Sequence, residues 1–212
     1  MTSSRATGTL NVTSDGVIDD GGVIEASGTT ILNSSDGLGS TYDIVLDGNH
    51  DFFTVGIQSG NNVVLNDNND GIVFYTSTVK GNLTVTAAAE TSDSDLLDGI
   101  SQVGILNVDG NTLLSADDLI KLDNSNNLFN TVSIVTAREA TLRDANALEL
   151  GSIAITGDDS TRRFNVVAES ISQSVCAKIE SRNGGEISLD ATTILSVSDI
   201  STQGSDGQIS SG

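Results

Sequence analysis

A chain of 212 residues has room for one or two compact cores or for one elongated core. Aromatic residues make up only 3% of it, and tryptophan and proline are absent, which points to the elongated form. Val, Ile, Leu and Ala fill only a narrow gap between backbones. The formal net charge of −20, from 29 acidic and 9 basic residues, argues against nucleic acid and anionic membrane as partners and keeps a sheet-rich surface soluble.

The amino-terminal stretch "MTSSRATGTLNV" lacks the apolar run of a signal peptide, and no apolar run in the chain reaches transmembrane length. From this alone the chain is expected to be cytoplasmic or a piece of something longer. The first strand signals are "GTLNVT" from Gly8 and "GTTIL" from Gly28. "DIVLDGNHDFFTVGIQSGNNVVLNDNNDG" follows from Asp43, with apolar residues alternating at Ile44 and Leu46, then at Val55 and Ile57, and again around Val64. Val73 and Phe74, Leu83 and Val85, Ile105 and Val108, and Leu113 continue the series, and this period of two is that of strands. Gly, Asn, Asp, Ser and Thr between the runs supply turns, and the absence of proline leaves sheet hydrogen bonding uninterrupted.

Two side chains in this stretch invite a chemical reading. His50 is the only histidine. With no partner motif it is expected in a solvated loop rather than as a catalytic base. In "NDNNDG", Asn66, Asn68 and Asp70 precede Gly71 as in a calcium loop, but the twelfth position is Ser77 where a bidentate Glu is needed. No metal site is assigned there.

From Asp118 the pattern returns as "DLIKLDNSNNLFNTVSIVTAREATLRDANALELG". Leu46, Asp47 and Phe53 align with Leu122, Asp123 and Phe129, spaced by 76. Thr54, Val55 and Ile57 align with Thr131, Val132 and Ile134, and Leu65, Asp67 and Asn69 with Leu142, Asp144 and Asn146, spaced by 77. "GNLTVT" at Gly81, "GNTLL" at Gly110, "GDDSTRRFNVVA" at Gly157 and "ATTIL" before Ser196 extend the series to about two and a half copies of a unit of 73 to 82 residues. Such self-similarity is the mark of a solenoid.

The expected fold is all-β: a parallel β-helix of about 8–9 coils of roughly 25 residues, three coils per unit, forming a single domain over 1–212. Segments 1–7 and 201–212 are expected to be poorly ordered ends. Like residues are expected to lie directly over one another, with Leu142, Leu148, Leu150, Ile153 and Ile155 in the core and Asp144 and Asn146 at a corner. Cys176, in "SVCAKI", reads as a small buried hydrophobe, and a lone cysteine forms no internal disulfide. Arg162 and Arg163 are expected to pair with Asp158, Asp159 or an acidic residue on the next coil; contact with an acidic glycan is the alternative. The competing fold is an antiparallel sandwich or barrel, for which the recurrent "DG" dipeptides would serve as hairpin turns.

"TLRDANALELGSIAITG", the "GNLTVTA"-type strand and "LDNSNNLFNTVSI" resemble the shaft repeats of large filamentous-haemagglutinin-like exoproteins, which Gram-negative bacteria secrete through two-partner systems. The resemblance spans about residues 8 to 200. It implies a right-handed parallel β-helix that holds adhesive or toxic modules away from a cell surface, hence a secreted or cell-surface location. It further implies partners that are neighbouring domains, further copies of the chain or surface glycans. The Asn-Pro motif of that family's secretion domain cannot occur in a chain without proline, so the resemblance is to the shaft alone. No catalytic, cofactor-binding or metal residue is assigned, and the chain is not expected to be an enzyme. A self-assembling filament subunit and a carbohydrate-active β-helix are the alternatives; the latter would need converging carboxylates.

Overall fold

The computed structural model describes residues 4–88, 99–156, 162–182, 185–203 and 208–211. Among the described residues twenty strands, from Ser4–Ala6 to Ile209–Ser211, join into one continuous sheet, and every strand pairing is parallel. No helix occurs among the described residues. The sheet coils on itself into a β-solenoid of about eight turns. At about 4.8 Å per turn this body is roughly 40 Å long.

Three ladders run along the solenoid, one on each face. In one turn Leu142 pairs with Val166 on the first face, Leu148 with Ile171 on the second, and Ile153 with Ile179 on the third. Alternation along each strand turns every second side chain inward, so paired residues build apolar columns. The longest described column on the third face is Leu46, Leu65, Val85, Leu114, Ile134, Ile153, Ile179 and Ile200. On the first face Ile72, Ile100, Ile120, Ala140, Phe164, Ile187 and Ile209 form another. All five expected core residues, Leu142, Leu148, Leu150, Ile153 and Ile155, are buried. Phe52, Phe74 and Phe164 are among the largest fully buried side chains, whereas Phe53 and Tyr75 face outward.

Successive members of the third-face column are separated by 19 to 29 residues, because loops of different length join the same strands. This spacing corrects the expected stacking of copies. Three turns carry Leu65 only to Ile134, and its counterpart Leu142 lies eight residues further on, on the first face. Ile57 and Ile134 are displaced in the same sense, since Ile57 pairs with Leu32 on the preceding face and Ile134 belongs to the column of Leu65. One copy therefore spans three turns and one further face. Neighbours in a column come from different parts of the repeat, and like residues are not superposed.

Register also corrects individual assignments. Phe52 is buried and Phe53 exposed, so Phe52 and not Phe53 is the counterpart of Phe129. Leu114 points inward while Leu113 is partly exposed. Of the segments expected to be poorly ordered ends, residues 1–3, 204–207 and 212 lie outside the described residues.

Candidate functional site

The hydrogen-bonded polar clusters inside this solenoid stand at its corners, where a strand ends and the backbone leaves the ladder with unpaired N–H groups. At the corner from the third face to the first, Asp20, His50 and Asp67 follow one another on successive turns. His50 is 1% exposed. The Ile24 N–H donates to its Nδ1 at 3.0 Å, so that nitrogen is the acceptor and Nε2 carries the proton it donates to Asp20 Oδ2 at 2.7 Å. The expectation of a solvated loop histidine is thus corrected: Asn49 faces outward and His50 inward, and the ring closes the backbone of the turn before it. The Gly48 N–H also donates to Asp20 Oδ2, at 2.7 Å. That bond first, and then the one from His50, holds the Asp20 carboxyl below its ordinary value.

Asp67 is the third residue of this stack. Its Oδ2 accepts the Phe52 N–H at 2.6 Å and its Oδ1 the Asn69 N–H at 2.9 Å. Its carboxyl is fully buried. Burial outweighs these two bonds, and with a smaller push from the charge of Asp51 it raises the carboxyl to about 7.

The same arrangement recurs one corner further round, between the first and second faces, at Gln102, Asn127 and Asp144. The Leu106 N–H donates to Asn127 Oδ1 at 3.0 Å, as Ile24 does to His50. Asn127 Nδ2 donates to Gln102 Oε1 at 2.8 Å, as His50 does to Asp20. Asp144 accepts the N–H groups of Phe129 at 2.6 Å and Asn146 at 2.7 Å, in the roles of Phe52 and Asn69. Burial raises its carboxyl as well. A third member stands between the second and third faces: Gln173 Oε1 accepts the N–H groups of Ser198 at 2.8 Å and Asp199 at 3.0 Å, while its Nε2 donates to the carbonyls of Ala177 and Asp199. The polar spine advances by a third of a turn from copy to copy, as the apolar pattern does.

Asp67 and Asp144, aligned from sequence, hold these corners, with Asn146 at its expected place. The pairs Asp20 with Gln102 and His50 with Asn127 were missed in the sequence, although their spacings of 82 and 77 equal those of the repeat. A search for identical residues passes over a histidine replaced by an amide.

In "NDNNDG" the interior ligand is Asp67, and Asn66 Nδ2 donates to the carbonyls of Asp47 and Gly48. Asp70 (φ 38°) and Gly71 (φ 81°) turn the chain there. Among the described residues no group of three or more His, Cys, Asp or Glu side chains is placed to hold a metal ion. Cys176 is exposed, not buried, at a left-handed φ of 65° beside Val175, because the loop between Gln173 and Ile179 bulges out of the ladder. Arg162 lies 4.0 Å from Glu139 on the preceding turn and Arg163 3.4 Å from Glu186 on the following one. Pairing across turns therefore accounts for the basic couple; Asp158 and Asp159 lie outside the described residues.

Parallel ladders, offset copies and repeated corner motifs define a β-solenoid repeat protein. No curated protein and no solved structure matches the chain. Residues 1–57 and 60–136 match the family described as repeats of unknown function (DUF5649), and the chain belongs to that family. The second matched stretch is as long as the spacing between Asp67 and Asp144.

Proposed function

We propose that this chain is a non-enzymatic shaft segment, structural and adhesive, of a large secreted or cell-surface bacterial filamentous protein of the filamentous-haemagglutinin-like kind. The observation that carries the reading is the copy-to-copy continuity of the ladders: a unit adds length along the axis and leaves the cross-section unchanged. The strongly acidic composition, which keeps a long sheet surface soluble, and the unbroken parallel ladders favour a spacer.

Duplicating residues 60–136 and measuring small-angle scattering tests the spacer. A rod lengthened by about 16 Å per added copy at constant cross-section supports it; a thicker particle or one of unchanged length overturns it. The encoding reading frame tests the export part. An upstream secretion domain supports that part, and a frame of this length with no export signal overturns it.

A further inference from the structure

Among the described residues the two most exposed large aliphatic side chains are Leu38, at 92%, and Val175, at 93%. Both stand at the corner between the second and third faces, each on a short loop outside the ladder. The loop of Leu38 is an addition. Asp20 and Gln102 before it are spaced by 82 and Leu46 and Leu122 after it by 76, so the first copy carries six residues there that the second lacks.

Hydrogen bonds hold both loops in shape. Ser35 and Thr41 close the first with an antiparallel bridge, and Asp36 Oδ1 accepts the N–H groups of Leu38 at 2.8 Å and Ser40 at 3.0 Å. Gly37 (φ 69°) and Gly39 (φ 116°) turn the chain on either side of Leu38. In the second loop the Ala177 N–H donates to the Ser174 carbonyl at 3.1 Å and the Ser174 hydroxyl to Glu149 Oε1 at 2.6 Å. Cys176 takes a left-handed backbone (φ 65°), uncommon for a residue with a Cβ. Each loop thus fixes an aliphatic side chain in water, where it gains nothing until another surface covers it.

The surroundings select that surface. Beside Val175 lies a shallow groove of about 640 Å³ lined by Leu113, Ser133, Ser152 and Cys176, and it continues to Lys178 and Glu180. Lys80, Lys121, Arg138, Arg162 and Arg163 have carboxylate partners, whereas Lys178 has none among the described residues. Leu38 and the groove lie six turns apart along one corner, about 29 Å, counted on the column from Leu46 to Ile179.

Between them runs an asparagine ladder: Asn62 Oδ1 accepts the Asn82 N–H at 3.0 Å, and Asn82 Oδ1 the Asn111 N–H at 2.8 Å. Its carboxylates are engaged within the chain, Asp43 by the amides of Asn61 and Asn62 and Asp109 by Lys80. A chain of net charge −20 meets little repulsion from another copy along such an edge. A two-fold axis crossing the edge at Asn111, three turns from either end, reverses one copy against the other. It sets the Leu38 loop of each, with the Asp36 carboxylate, on the Val175 groove of its mate, with Lys178.

We propose that two copies of this chain pair side by side and antiparallel along this corner, Leu38 of each seated in the Val175 groove of the other. The pairing is lateral and does not depend on the shaft reading above.

The lone cysteine serves as the reporter. Leu38→Cys, incubated with oxidised glutathione, is expected to give covalent dimers through a disulfide between position 38 and Cys176, mapped by mass spectrometry. Within one chain these positions are about 29 Å apart, so the bond can join only two copies. The native chain should stay uncrosslinked, because its two Cys176 thiols are equally far apart in the pair, and Lys121→Cys on the first face should form no bond to Cys176. Sedimentation equilibrium of the native chain should show the mass doubling with concentration. Leu38→Asp and Val175→Asp should each weaken that association tenfold or more at unchanged melting temperature, since both side chains are exposed. A native chain that stays monomeric up to about 1 mM, a Leu38→Cys chain that forms no bond to Cys176, or undiminished association of both Asp variants overturns the proposal. In the first case the two loops serve a different partner.

Discussion

The buried carboxyl of Asp67 makes the stability of the solenoid depend on pH in a direction that can be worked out. An aspartate in the unfolded chain releases its proton near 3.8, whereas burial keeps the folded carboxyl protonated to about 7. Between those values the folded state holds one proton more than the unfolded state, so stability falls as pH rises. The contribution is fully present below the unfolded value and is lost as pH passes through about 7. One proton corresponds to about 1.4 kcal/mol per pH unit, so raising pH from about 5 to about 7 removes up to about 3 kcal/mol. For a chain of this length that is roughly 5–10 °C in melting temperature. Asp144, raised by the same cause, acts in the same direction.

The assay is urea unfolding at several pH values and fixed ionic strength, on the native chain and on Asp67→Asn. The variant should start less stable by about 1–3 kcal/mol, because an amide accepts only one of the two N–H groups well, and its stability should then change less with pH. Parallel pH profiles for the two proteins would refute the reasoning.

Three further outcomes follow from the columns and corners. Thr112 is buried between Leu83 and Val132 with no partner for its hydroxyl, so Thr112→Val should stabilise by about 1 kcal/mol, read as a higher melting temperature; an unchanged or lower one contradicts the burial. Because Gln102 and Asn127 make the bonds that Asp20 and His50 make, the double variant Asp20→Gln, His50→Asn should unfold within about 1 kcal/mol of the native chain, whereas His50→Ala should cost about 2 kcal/mol or more by stranding the Ile24 N–H. Equal losses in the two variants would break the equivalence. Glu25 and Asp51 pair directly across turns, so salt raised from about 10 mM to about 1 M, which shrinks the screening length from about 30 Å to about 3 Å, should raise the melting temperature; a flat response would show that such contacts are already relaxed.

The period-two alternation made the strands and the column residues Leu142, Leu150 and Ile153 legible before any coordinates, and the long-period repeat made the parallel solenoid legible. The pairing of unlike segments was not legible. The sequence repeat counts residues along the chain, while the ladder counts turns, and loops of unequal length separate the two counts. The corner chemistry was half visible. Asp67 and Asp144 kept their identity and were found, but His50 and Asn127 kept only their hydrogen-bonding roles, and a lone histidine with no partner motif reads as a surface group. Cys176 failed for a related reason: "SVCAKI" alternates like a strand, but the chain there adopts a left-handed turn that alternation does not register.

The one-face advance of each copy ties length to azimuth. Losing or gaining a copy would move whatever is attached downstream by about 16 Å along the rod and would also swing it by a third of a revolution. Only a change of three copies would restore its original heading. In such an array, copy number acts as a dial for the direction in which an appended module points.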